Sequence, residues 1–136
     1  MQRAFSILLF VLLGSFAAAG SVRAQNAEAV LSDCVSAIQK GNPDAMFEHF
    51  AQSVSVTLPP NTEDNYARNQ ALFVLKDFFA AYPVQSFSIL HKGSSGAKYY
   101  AIGRFVSPKG TFDANIFLKK SGNSYVLDEI RFEKTN

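Results

Sequence analysis

From Val84 to the C-terminus, polar and apolar side chains alternate with the period of two of a half-buried β-strand. Three clusters of turn-forming residues, Gly93-Ser-Ser-Gly96, Ser107-Pro-Lys-Gly110 and Ser121-Gly-Asn123, interrupt this alternation. The interruptions predict four strands, at about 85–92, 97–106, 111–120 and 124–133. Connections this short join antiparallel neighbours, so the segment reads as a four-stranded meander. A sheet with one apolar face must pack that face against something, and the preceding residues have to supply it.

They read as three helices and a strand. Residues 26–40 carry Val30, Leu31, Cys34, Val35 and Ile38 on one helical stripe, with Asn26 placed to cap the start and Gly41 to end it. Asn42-Pro-Asp44 opens a second, shorter helix whose apolar side is Met46, Phe47 and Phe50. Ser53–Leu58 alternates through Val54, Val56 and Leu58 and is a strand, stopped by Pro59-Pro60; the polar residues 61–65 read as a loop. Residues 68–81 form the longest helix, apolar all round from Ala71 to Leu75 and continued by Phe78 and Phe79, which predicts a central position. The order helix, helix, strand, helix, meander defines an α+β domain over residues 25–136.

The first 24 residues stand apart. Arg3 precedes an uncharged, nearly unbroken apolar run from Ala4 to Gly20, and Val22-Arg-Ala24 offers the short side chains that a signal peptidase reads. The run is too short for a comfortable membrane span, and Cys34 lies too far beyond it for lipid attachment. These features predict an export signal cut before Gln25 and a chain that is periplasmic or secreted, with no membrane span after cleavage. Setting aside Arg3 and Arg23 leaves eleven basic residues against eleven acidic ones, which excludes a nucleic-acid binder working through a basic field. A single cysteine excludes a disulfide framework, and its apolar neighbours make Cys34 a buried, inert thiol.

Turn lengths set the expected register. A four-residue turn at 107–110 pairs Phe105 with Phe112, Arg104 with Asp113 and Gly103 with Ala114. A three-residue turn at 121–123 pairs Leu118 with Val126, Ile116 with Asp128, Ala114 with Ile130 and Asp113 with Arg131. One face then carries Tyr99, Ala101, Gly103, Phe105, Phe112, Ala114, Ile116, Leu118, Val126, Asp128, Ile130 and Phe132, with Asp128 its one charge. The other face carries an Arg104–Asp113–Arg131 ladder and an apolar group of Tyr100, Ile102, Phe117 and Leu127, a candidate self-association surface. In the first strand the turn places Ser88 and Leu90 inward, whereas the apolar pattern favours Phe87 and Ile89.

A carboxylate on an apolar face loses hydration, which raises its pKa and suits it to general acid–base work. The first reading is nevertheless a non-catalytic ligand-binding or self-associating module in which Asp128 is a structural acid held by hydrogen bonds, and the alternative is a small pocket enzyme of isomerase or dehydratase type with Asp128 as base and Tyr99 or His91 assisting. Gly103 marks a bend or a close approach by another group. Asp128, Tyr99, Gly103, Phe112, Ile116 and Ile130 are the candidate lining of a pocket for an apolar small molecule. Neither His49 nor His91 has a partner at metal-ligand spacing, so no metal or cofactor is implied.

Lys40-Gly-Asn-Pro-Asp-Ala, Val56-Thr-Leu-Pro, Leu75-Lys-Asp-Phe-Phe, Phe87-Ser-Ile-Leu-His-Lys-Gly-Ser-Ser-Gly, Tyr100-Ala-Ile-Gly, Gly110-Thr-Phe and Asp128-Glu-Ile-Arg-Phe-Glu resemble the exported bacterial domain of unknown function 4783 family. That family falls within the nuclear transport factor two-like superfamily. The resemblance implies a curved sheet wrapped round helices as a cone with an internal pocket, and it supplies no activity. Ketosteroid-isomerase-like members of the superfamily use a pocket acid on the sheet, for which Asp128 is the comparable residue type. Expression of the whole chain in a bacterial host is expected to yield a product whose first residue, by intact mass and N-terminal sequencing, is Gln25; a product that keeps Met1 would refute the export reading.

Overall fold

The computed structural model describes residues 26–135, so the signal segment read at 1–24 lies outside the described residues. Helix α1 occupies residues 26–39. A 3-10 helix follows over Pro43–His49, with the Asn42 side chain accepting from the Asp44 N–H at 3.2 Å. This segment, read as an α-helix in the sequence, is only seven residues long, too few for stable α-helical propagation. Then come β1 (Phe50–Leu58), β2 (Thr62–Ala67), α2 (Arg68–Ala81), β3 (Ser86–Ser95), β4 (Lys98–Ser107), β5 (Gly110–Ser121) and β6 (Ser124–Lys134).

The fold is mixed α+β on a six-stranded curved, unclosed sheet of order β2-β1-β6-β5-β4-β3. Strands β3 to β6 form the antiparallel meander, and β1 joins it parallel to β6. The stretch read as a loop at 61–65 lies instead largely within β2, an antiparallel partner of β1 and one edge of the sheet. Its sequence Thr-Glu-Asp-Asn-Tyr-Ala is polar apart from Tyr66 and Ala67, so the period-two signal is absent, and pairing with β1 makes it a strand, with Tyr66 packed on the core.

The four-residue turn at 107–110 gives the predicted β4–β5 register, with Phe105 opposite Phe112 and Gly103 opposite Ala114. The β5–β6 register differs. Its turn has two residues, Gly122 and Asn123, between the pair Ser121 and Ser124, and Gly122 holds the positive φ of +62° that such a turn favours. Leu118 pairs with Leu127 and Ile116 with Ile130, so two steps along β5 match three along β6. Asp128 is the extra residue of a β-bulge. A bulge also interrupts β3, where Ile89 pairs with Gly103 and His91 with Ile102, leaving Leu90 unpaired and 59% exposed. The apolar pattern thus prevails over the turn-based register in β3: Phe87 is buried and Ile89 packs against the core.

Helix α2 lays Ala71, Leu75, Phe78 and Phe79 on the sheet. Phe78 meets Phe132 at 4.5 Å between ring centroids, Phe112 at 5.6 Å and Phe105 at 5.8 Å, and Phe79 meets Phe105 at 5.8 Å. Covered on one stripe rather than all round, α2 leaves Phe73 64% exposed, because Phe73 sits about 200° round the helix from Ala71. Gly103 is the close approach read from sequence, and the approaching group is the Phe87 ring of the neighbouring strand: a Cβ on Gly103 would lie 2.7 Å from Phe87 Cε1 and from the Ser88 carbonyl oxygen. Gly103→Ala is therefore expected to destabilise the fold by about 1–3 kcal/mol in denaturant unfolding, and an unchanged midpoint would show that both the Phe87 ring and the β3 backbone at Ser88 yield freely.

Candidate functional site

The bulge decides where the sequence candidates fall. It reverses the facing of β6 on either side of it, so that Leu127, Ile130 and Phe132 all point into the core and are fully buried. Asp128 is placed with Val126 and Glu129 on the outer face, contrary to the inward position expected from a three-residue turn. Its Oδ2 accepts from Lys98 Nζ at 3.0 Å, and its Oδ1 is buried without a hydrogen-bond partner among the described residues. An acid so placed does not face the packed interior and cannot serve as a base there. Leu127, read as part of the outer apolar group, belongs to the core for the same reason.

Phe112, Ile116 and Ile130 are also fully buried, and Gly103 lies beneath the Phe87 ring. The six pocket candidates do not line any of the depressions at α1–β3, at Pro59–Asn61, at Gln52–Arg68 or at Asn42–Lys76. Besides Asp128, Tyr99 makes a polar side-chain contact, and it reaches across to α1. Its hydroxyl donates a hydrogen bond to Glu28 Oε1 on α1, and Lys92 Nζ on β3 donates to Glu28 Oε2 at 3.1 Å. The two donors hold the Glu28 carboxyl below its ordinary range, the Tyr99 bond contributing most. The same bond pushes the Tyr99 phenol up to about 12, with burial adding to it.

The outer face is organised in rows across the sheet. One row runs Glu63, Thr57, Arg131, Asn115, Ile102, His91 through all six strands. The next runs Asn65, Ser55, Glu129, Phe117, Tyr100, Gly93. Tyr100, Ile102 and Phe117 are half-buried neighbours there, as read from sequence. Thr57 Oγ1 and Asn115 Oδ1 are buried on this face with no hydrogen-bond partner among the described residues. The expected three-strand charge ladder holds as Arg104–Asp113, at 3.4 Å, but its third member is Glu133, since Arg131 pairs across from Asn115. Arg131 Nε approaches Glu129 Oε2 to 2.8 Å off the direct N–H line, and Nη1 lies 3.8 Å from Glu133.

His91 reaches Tyr100 at 3.4 Å, on the outer face and not at a pocket mouth with Asp128. His49 Nε2 lies 2.8 Å from Asp33 Oδ2 and 3.8 Å from Glu48, a contact that ties α1 to the 3-10 helix and that no sequence spacing reveals, because Asp33 is sixteen residues away. Cys34 is completely buried, and burial pushes its thiol up to about 12, as an inert core residue requires. The feature missed by sequence reading is a slot of about 510 Å³ between α1 and β3, lined by Leu31, Val35 and Ile89 together with polar residues of both elements.

The fold is shared with an NTF2-like protein of unknown function from Shewanella baltica, at 15% identity and TM-score 0.58 over 79% of this chain and 90% of that one. It places the protein in the NTF2-like class of α+β structures. Residues 31–133 match the family described as Domain of unknown function (DUF4783), and the chain belongs to that family. Solved members include proteins from Bacteroides uniformis, 26% identical with TM-score 0.73 over 77% of this chain and 96% of that one, and from Bacteroides fragilis, 27% identical with TM-score 0.71 over 76% and 96%. No curated protein matches the sequence.

The Glu28–Tyr99 bond has a defined pH signature. Tyr99's neutral form is favoured in the fold, so its contribution is complete below the ordinary tyrosine value of about 10 and is lost as pH rises towards about 12. Glu28, held low, contributes above the ordinary carboxyl range and loses that contribution only as pH falls through its depressed folded value. In an ultraviolet titration of the native protein, Tyr99 is expected to ionise towards pH 12, and Glu28→Gln is expected to lower that midpoint; a Tyr99 midpoint that Glu28→Gln leaves unchanged would rule the bond out.

Proposed function

We propose that this chain is an exported, non-catalytic module that works by self-association through the outer face of its sheet. The observation that carries the reading is the apolar group Ile102, Tyr100 and Phe117, adjacent side chains on β4 and β5 that stay partly exposed at the centre of the outer face.

The charges favour a second copy of the chain. At one end of the face Lys98 and Lys119 outnumber Asp128, and at the other Asp113 and Glu133 outnumber Arg104. A two-fold axis running across the strands lays the positive end of one copy on the negative end of the other, with the apolar trio at the centre. Asp128 then serves as an interface acid, and the isomerase-like alternative loses its base. Export by the N-terminal signal belongs to the same reading.

The protein purified after export is expected to sediment as a dimer, and Ile102→Lys to sediment as a monomer with an unchanged circular-dichroism spectrum. High salt is expected to weaken the dimer, because the end-to-end charge pairing is exposed. A parent protein that stays monomeric up to millimolar concentration, or an Ile102→Lys variant that stays dimeric, would overturn the reading.

A further inference from the structure

The slot between α1 and β3 has the form of a small-molecule site, distinct from the outer face. Residues 28, 31, 32, 35, 36 and 39 form one stripe of α1 and span about 16 Å along its axis. Strand β3 runs the opposite way beside it, since Gln39 meets Phe87 and Glu28 meets Lys92. Leu31 is buried at the base, and Val35 and Ile89 are partly buried and packed on the core, so the floor is apolar and fixed. Both ends are bridged: Gln39 Nε2 donates to the Phe87 carbonyl oxygen at 3.1 Å, and Lys92 Nζ donates to Glu28 Oε2 at 3.1 Å. A polypeptide laid along the β3 edge would have to run past both bridges, whereas a short molecule fits between them. The volume of about 510 Å³ falls in the usual range for small-ligand pockets.

The end groups specify the head of that molecule. Both oxygens of Glu28 already accept, one from Tyr99 and one from Lys92. Lys92 is half exposed and gives one of its three ammonium hydrogens to Glu28, so two donors remain for an acceptor at that end of the slot. Gln39 has already committed its amide to Phe87 at the other end. We infer that the α1–β3 slot binds an amphipathic monocarboxylate, its aliphatic body on Leu31, Val35 and Ile89 and its carboxylate on Lys92.

The test is a titration of the isotope-labelled exported protein with decanoate, decanol and decylamine below their aggregation limits, followed by the amide and methyl signals. Decanoate is expected to bind saturably, with the shifts concentrated at Leu31, Val35 and Ile89. Lys92→Ala is expected to weaken decanoate about tenfold and leave decanol as it was, since a charged hydrogen bond of this kind is the difference between the two. Ser32→Phe, which fills the slot from an exposed wall position without entering the core, is expected to abolish both. Absence of saturable decanoate binding, equal or tighter binding of decylamine, full affinity in Ser32→Phe, or shifts confined to Tyr100, Ile102 and Phe117 would each overturn the assignment. The oligomeric state of the same samples is read separately, so failure here is distinguishable from failure of self-association.

Discussion

The interaction on which the rest depends is the insertion of Phe78 and Phe79 from α2 among Phe105, Phe112 and Phe132 of the sheet. Phe105, Phe112 and Phe132 are fully buried, and Phe78 and Phe79 nearly so, at 5% and 6% exposed. A large-to-small change at such a site typically costs about 3–5 kcal/mol, a large share of the stability of any domain this size. The same insertion has a functional consequence. A curved sheet offers a concave face for ligands only where helices leave it open, and here five aromatic rings take up that space. The helices and the sheet leave open the flank between α1 and β3, and the outer face, on which the two proposals rest.

Much of this arrangement was legible in the sequence, and its limits have physical causes. Val84 onward gave up its four strands because half-buried antiparallel strands impose an alternation that turn residues punctuate. Facing was correct wherever the turn length was correct, as at Phe105, Phe112, Ala114 and Ile116. Strand β2 was invisible because an edge strand polar apart from Tyr66 and Ala67 shows no alternation and owes its form to pairing with β1. The bulge in β6 was invisible because one extra residue changes no composition, and that in β3 showed only as a conflict between the turn-based register and the apolar pattern at Phe87 and Ile89. Contacts such as Asp33 with His49, Glu28 with Tyr99, and the slot itself join residues from 16 to 71 positions apart, and only the fold brings them together.

The first helix gains a role from those distant contacts. Leu31, Cys34 and Ile38 are buried on its core side, while Glu28, Asp33 and Gln39 each reach a different partner, on β4 and β3, on the 3-10 helix, and on β3. Exposed polar contacts of this kind are individually weak. Spread along the helix, they fix how far it stands from the sheet edge, and that distance sets the width of the slot. The core-facing side of α1 thus carries stability, and its opposite side carries the contacts that shape the proposed binding slot.

The bulge at Asp128 shows how the competing costs are settled. An unbulged β6 that kept Ile130 and Phe132 inward would also turn Asp128 inward and Leu127 outward. A buried carboxylate without a partner costs several kcal/mol, and exposing a leucine forfeits about 1.5–3 kcal/mol more. Inserting one residue disturbs the ladder locally, at about 1 kcal/mol for a lost backbone bond. The comparison favours the bulge by a wide margin. Its result is to place Leu127 under α2's side of the sheet while delivering Asp128 beside Lys98 on the outer surface. The acid that looked like the start of a pocket chemistry is displaced by the hydrophobic core itself and ends as an outer-face charge paired with Lys98.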